Sequence, residues 1–221
     1  MPQSILIIAA LAIAAAAAVA QGAILAVLTH KLVRRQNEHF AREAQLRTGL
    51  ISLLRAGAGS PEREMMLAGE LSSASAIHSS SNMSERTRSP LVWSLVVLFP
   101  GLLSALVLGV MAIALMPMWE GDIDYILSTW AAIISLIMVT AFIGLILVIL
   151  RLYLLYSLSK EMYEHDGRWH PFLQNVMSGF YRLGYKVRLP FWTQPIPERA
   201  LILYIVLWIL TSGLIEFYWW Y

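Results

Sequence analysis

Four apolar runs decide what this chain can become. Ile5 to Leu28, Leu91 to Met116, Tyr125 to Leu150 and Ala200 to about Trp220 are each long enough to carry a helix across a hydrocarbon core, which takes about 20 residues. Backbone polar groups in such a core must be bonded within the chain, so runs of this kind become helices. The intervening segments are too polar to do the same. With 58% hydrophobic residues, 14% charged residues and a mean hydropathy of +0.65, the 221-residue chain is too apolar for a soluble domain. It contains no cysteine, which excludes disulfides, thiolate metal sites and a cysteine nucleophile.

Charge orients the runs. All sixteen Lys and Arg fall in two segments, nine in residues 31 to 88 and seven in residues 151 to 199. The turn from Pro117 to Asp124 has none and carries Glu120, Asp122 and Asp124 instead. Because Lys and Arg collect on the cytoplasmic side, both basic segments are expected inside the cell, and both termini and the acidic turn outside. Trp119, Tyr125 and the closing Phe217-Tyr218-Trp219-Trp220-Tyr221 suit the outer headgroup level. The first run has no basic residues before it, and Lys31, Arg34 and Arg35 directly after it. It therefore reads as a retained N-out span rather than a secretory leader.

The spans carry few chemical groups. Ala10, Ala14, Ala18, Gly22 and Ala26 recur every four residues and form a small-residue face for close helix packing. Pro100-Gly101 is expected to kink the second span. Arg151 and Glu216 are the ionisable groups of the spans, each near an end. Ser104, Ser128, Thr129, Ser135, Thr140, Thr211 and Ser212 are able to line a narrow path, or to bond within their own helices.

The cytoplasmic segments contain an internal repeat. An offset of 126 residues aligns Leu32 with Leu158, Arg34 with Lys160, Glu38-His39 with Glu164-His165, Arg42 with Arg168, Leu46 with Phe172 and Leu50 with Val176. The expected architecture is therefore all-α and polytopic, with two units of the same orientation, each made of span, amphipathic helix and span. The first covers residues 1–116: span 5–28, cytoplasmic helix 31–56, flexible serine-rich loop 72–89 and span 91–116. After the external turn 117–124, the second covers 125–221: span 125–150, cytoplasmic helix 171–184 and span 200–220. His39, Glu43, Leu46, Leu50 and Leu53 share one helical face of the first cytoplasmic helix, and Phe172, Val176, Gly179, Phe180 and Leu183 share one of the second. Gly167 reads as a helix stop and Pro171 as a first-turn residue. Ser60-Pro61-Glu62 reads as a capped helix start, with its helix running to about Leu71. Residues 72–89 read as a loop with a solvated His78, and Arg188 to Pro197 as a proline-broken surface segment.

Glu38, His39 and Arg42, with Glu164, His165 and Arg168, form a cytoplasmic elbow in each copy. His39, His165 and His170 are weak metal candidates, since His165 and His170 lack the i,i+4 spacing of a helical zinc pair. No phosphate-binding glycine loop, nucleophile elbow or HExxH motif is present. Charge placement by topology leaves nucleic-acid binding without separate support. The expected function is a non-catalytic membrane protein without a cofactor. It would be an accessory or scaffold subunit or a homo-oligomer, touching the bilayer, its anionic inner headgroups and other subunits or itself in the cell membrane. A channel or facilitator for ions or small solutes, and a histidine-based metal enzyme, are the alternatives.

The stretch YSLSKEMYEHDGRWHPFLQNVMSGFYRLGY (Tyr156 to Tyr185) and the closing LWILTSGLIEFYWWY (Leu207 to Tyr221) resemble an uncharacterised family of archaeal and bacterial multi-span membrane proteins, classed as a domain of unknown function. The resemblance covers about the last third of the chain. It implies a small polytopic protein and assigns no functional residue.

Overall fold

The computed structural model describes residues 2–85, 87–115, 123–187 and 201–210. It comprises α1 (Pro2–Ala58), α2 (Pro61–Met66), α3 (Ala68–Ser84), α4 (Pro90–Leu115), α5 (Ile123–Arg182) and α6 (Leu201–Leu210), with no strand among the described residues. Three helices hold stretches long and apolar enough to cross a membrane: Ile5–Ala58, Pro90–Ala114 and Trp130–Arg182. The fourth apolar run is described only over α6. The acidic residues of the 117–124 turn before Ile123, the Arg188 to Pro197 segment and the terminal aromatic cluster lie outside the described residues, as do Thr211, Ser212 and Glu216.

Two compact units divide the chain. Unit 1 holds Met1–Leu32, Ser89–Leu154 and Leu207–Tyr221; unit 2 holds Val33–Arg88 and Leu155–Val206. Three sequence expectations are corrected. The span 5–28 and the helix 31–56 are one helix, α1; the span 125–150 and the helix 171–184 join through Gly167 in α5; and the serine-rich stretch is helical in α3.

Unit 2 is a three-helix bundle built on seams with a 3.5-residue period. On α1 the buried residues are Val33, Gln36, Phe40, Arg47, Ile51, Leu54 and Ala58; on α5 they include Leu158, His165, Phe172 and Val176. Steps of three and four keep such a seam facing its partners, as in coiled coils. The two helices run parallel in a near-constant register. His39 meets His165 and Gly57 meets Leu183, both 126 residues apart, and Gln36 bonds Glu161 at 125. That is the offset of the sequence repeat, so the two copies pair position by position. Gly59, at φ 69, ends α1 in the left-handed conformation and turns the chain back. Ser60 then caps α2 by accepting from the Arg63 amide, with Pro61 in the first turn. α3 returns antiparallel, since Glu70 reaches Arg182 at one end while Thr48 faces His78 further along.

The serine-rich stretch folds as a helix because residues at seam spacing along it pack into the core. Leu67, Leu71, Ala74 and Ser81 are buried, and small residues between them permit close approach. The outward hydroxyls bond back to their own helix: Ser72 to Gly69, Ser79 to Ser75, Ser80 to Ile77 and Ser84 to Ser80. His78 is half-buried rather than solvated, facing Thr48 and Asn82. Pro171 sits inside α5 although its ring removes one helical bond. The carbonyl left over belongs to Gly167, an exposed residue that water can reach. His165, Phe172 and Val176, on either side, occupy the same seam, so packing holds the helix through both residues. α5 stops later: Gly184 has φ 88, and the Tyr185 amide bonds the Phe180 carbonyl.

The α1 face expected from sequence is also rotated. Leu46 and Leu53 are 48% and 58% exposed, whereas Arg47 and Leu54 beside them are buried. Gly179 explains how tightly α5 packs here, because a Cβ there would lie 2.8 and 2.9 Å from the δ carbons of the fully buried Leu54. Gly179→Ala is expected to cost about 1–3 kcal/mol despite the helix preference of alanine, measured by thermal unfolding in mild detergent. Truncating Leu54 to alanine in the same chain should abolish that added cost.

In unit 1, α1 and α4 cross at glycine. A Cβ on Gly101 would lie 2.5 Å from the Ala18 carbonyl oxygen, and one on Gly22 would lie 3.2 Å from that of Leu98. Ala18, Gly22 and Ala26 of the small-residue face lie at or beside this contact, whereas Ala10 and Ala14 are exposed.

Candidate functional site

Among the described residues, the largest concentration of polar chemistry lies inside unit 2, where the seams carry charged residues. Glu85, just after α3, receives Arg47 of α1 through two hydrogen bonds, Nη1 to Oε1 at 3.1 Å and Nη2 to Oε2 at 2.5 Å. His165 Nδ1 of α5 lies 2.9 Å from Glu85 Oε1, and Arg168 Nη2 lies 3.7 Å from the same oxygen. The side chains of Arg47, Glu85 and His165 are 1%, 3% and 3% exposed. Three separate segments of the chain therefore meet on one carboxylate. Burial alone would raise the Glu85 pKa, but the hydrogen bonds from His165 and Arg47 and their charges hold it down to about 2.

Aromatic rings wall this network. His39 approaches His165 with ring centroids 5.1 Å apart, and Phe40 lies 5.2 Å from it on the same side of α1. Trp169 stacks on His165 at 6.3 Å and on Phe172 at 5.5 Å, and the Arg47 guanidinium lies 5.8 Å from the Trp169 ring centre. His39 is held below its ordinary pKa first by burial and then by the neighbouring His165. His78 is lowered too, by burial and by Arg47, with Glu85 opposing.

A second charged tie closes the bundle nearby. Arg88 grips Glu161 with bonds of 2.7 and 2.5 Å, Gln36 donates to the same carboxylate at 3.3 Å, and Asn37 bonds the Arg88 backbone in both directions. A third joins Arg182 to Glu70 at 2.9 Å at the far end.

The elbow residues separate into two groups. His39, His165 and Arg168 enter or border the buried network. Glu38 is exposed and pairs with Arg34 at 2.7 Å, Arg42 donates to the Glu38 carbonyl, and Glu164 pairs with Lys160 at 3.9 Å and Arg168 at 3.7 Å. The Arg34–Glu38 and Lys160–Glu164 pairs occupy equivalent repeat positions. His170 is exposed, about 140° around α5 from His165, so it does not join the other two. Among the described residues no three His, Asp or Glu side chains gather as a metal site. Sequence reasoning missed Arg47, Glu85, Arg88 and Glu161. The available signal was the seven-residue spacing of Phe40, Arg47 and Leu54, which places an arginine on an apolar seam.

Chemically, this arrangement orients an imidazole against a carboxylate, but the carboxylate is already saturated by fixed cations. What it does well is hold three chain segments in one register. Compared with known proteins, the chain matches no protein-family model, no curated protein and no solved structure.

Proposed function

We propose that this is a non-catalytic four-span protein of the cell membrane, serving as an accessory or scaffold subunit of a membrane assembly, or assembling with copies of itself. Both termini lie outside, and unit 2 is the cytoplasmic docking block, its basic residues near anionic inner headgroups. Membership of the multi-span family suggested by Tyr156 to Tyr185 belongs to the same proposal.

The observation that carries it is the outer surface of unit 2. Leu46 and Leu53, two helical turns apart on α1, are about half exposed, and Met65 and Met83 are 76% and 78% exposed. These residues lie outside the four apolar runs, and a protein partner on this block would cover them. The buried ion network supports the same role, because it rigidifies the block that presents this surface. In native mass spectrometry from mild detergent, the protein is expected as a defined complex or oligomer. Leu53→Glu and Met83→Glu should release the monomer without lowering its melting temperature. A strictly monomeric wild-type particle would overturn the proposal.

A further inference from the structure

Unit 2 carries an open groove of about 530 Å³ where the end of α1 meets α2 and α3, and its wall includes Arg55, Pro61, Glu64, Met65, Ala68 and Leu71. The space follows from the turn. Gly59 and Ser60 send the chain back through the six-residue α2, and α3 then lines the gap with Ala68, Ser72 and Ser75 around Leu71. Three of these four side chains are short, and the Ser72 hydroxyl bonds back to the Gly69 carbonyl at 3.0 Å, so the α3 wall stays low.

Its chemistry is of two kinds. The floor is apolar, with Leu71 buried, and Met65 stands on the rim 76% exposed. Methionine is unbranched and fills irregular gaps, which suits it to contacts between protein surfaces. Arg55 and Glu64 are both exposed on the groove, and among the described residues neither forms an ion pair. One charge of each sign leaves the groove without a net charge, so it does not select a small anion or a small cation. It suits a polypeptide surface that carries an apolar knob and both signs of charge.

The groove itself has that pattern. In a two-fold pair every contact occurs twice, with one residue meeting a second on the other protomer and the reverse, so a surface holding one cation and one anion can complement itself. We infer that a second copy of this chain docks here. Each protomer seats Met65 in the groove of the other, and each Arg55 meets Glu64 of the partner subunit. The inference rests on the docking role proposed for unit 2 and gives that role a partner and a place.

The test uses full-length chains in mild detergent, followed by native mass spectrometry. Wild type is expected to pair. Arg55→Glu alone, and Glu64→Arg alone, each set like charges together twice across the two-fold, and self-association should weaken about tenfold or more. Mixed, the two variants restore both opposite-charge contacts, so a complex holding one of each should form about as tightly as the wild-type pair. Chains that fail to fold could not recover in this way. Ala68→Trp, which fills the groove and leaves both charges in place, should also block pairing. A wild-type pair that all three variants form equally well, a mixture that does not recover, or a wild-type complex with another protein and no second copy would overturn the groove pairing and leave the docking role standing. A strictly monomeric wild type would overturn both.

Discussion

Replacing Glu85 with alanine is expected to destabilise unit 2 by about 3–5 kcal/mol, the usual cost of leaving a buried charge without its partner. Arg47 would then hold a guanidinium that is 1% exposed beside an empty position, with Arg168 adding a second positive charge nearby. Arg47→Ala should cost a similar amount, because it strands the carboxylate instead. The combined change Arg47→Met with Glu85→Leu should recover most of the loss, since desolvation offsets much of the attraction in a buried pair. Thermal unfolding of wild type, Arg47→Met, Glu85→Leu and the combined chain in one detergent measures the cycle, and additive losses would contradict the coupling. Arg88→Ala should cost less, because the Arg88 and Glu161 side chains remain 17% exposed and water can replace part of their interaction.

The same network sets an acid limit. Glu85 titrates near 2 in the folded chain against an ordinary 4.5, so its contribution is complete above 4.5 and is lost as the pH falls from there to about 2. A shift of that size corresponds to about 3 kcal/mol, in line with the cost expected from mutation. His39 is also lowered from 6.5, by burial first. Its protonation therefore favours the unfolded chain, and stability begins to fall as the pH drops through 6.5. His78 is lowered in the same way and adds to this fall, so melting temperature against pH should show two steps, with His39→Gln and His78→Gln together removing the upper and Glu85→Ala the lower.

These charges explain which parts of the structure were legible in the sequence. The apolar runs are visible because bilayer-length stretches of apolar residues have few other uses, and Ser60-Pro61 is visible because capping is local chemistry. The repeat is visible too, and it foreshadowed more than composition could: positions that align at an offset of 126, such as His39 and His165, also meet in space. Other features depend on distant partners. Gly167 and Pro171 carry local stop signals, yet seam residues on both sides hold α5 together. The serines of α3 look like a loop because their helix draws its order from Leu67, Leu71 and Ala74 packing in the core cluster with Leu54 and Phe172. Arg47 looks like a surface arginine until Glu85, 38 residues away, supplies its counter-charge.

The crossing in unit 1 leads to the other large effect. Gly101→Val is expected to cost about 3 kcal/mol or more, at or above the upper part of the range for overpacking. A Cβ at Gly101 meets backbone, the Ala18 carbonyl oxygen at 2.5 Å, so no rotamer change relieves it and the two helices must move apart. Gly22→Val should be milder at first contact, because its nearest backbone atom is 3.2 Å from the added carbon. Gly109 and Gly144 have nothing within 4 Å of an added Cβ, so alanine at either should leave the stability within about 1 kcal/mol of wild type. This contrast separates crossing from composition. If α1 and α4 packed only because their faces are apolar, valine at Gly101 would add contact area and strengthen the pair. If backbone approach holds them, as in small-residue helix pairs, valine removes the close contacts that substitute for a hydrophobic driving force within lipid. A Gly101→Val chain as stable as the Gly109→Ala chain would therefore remove the glycine crossing as the basis of unit 1.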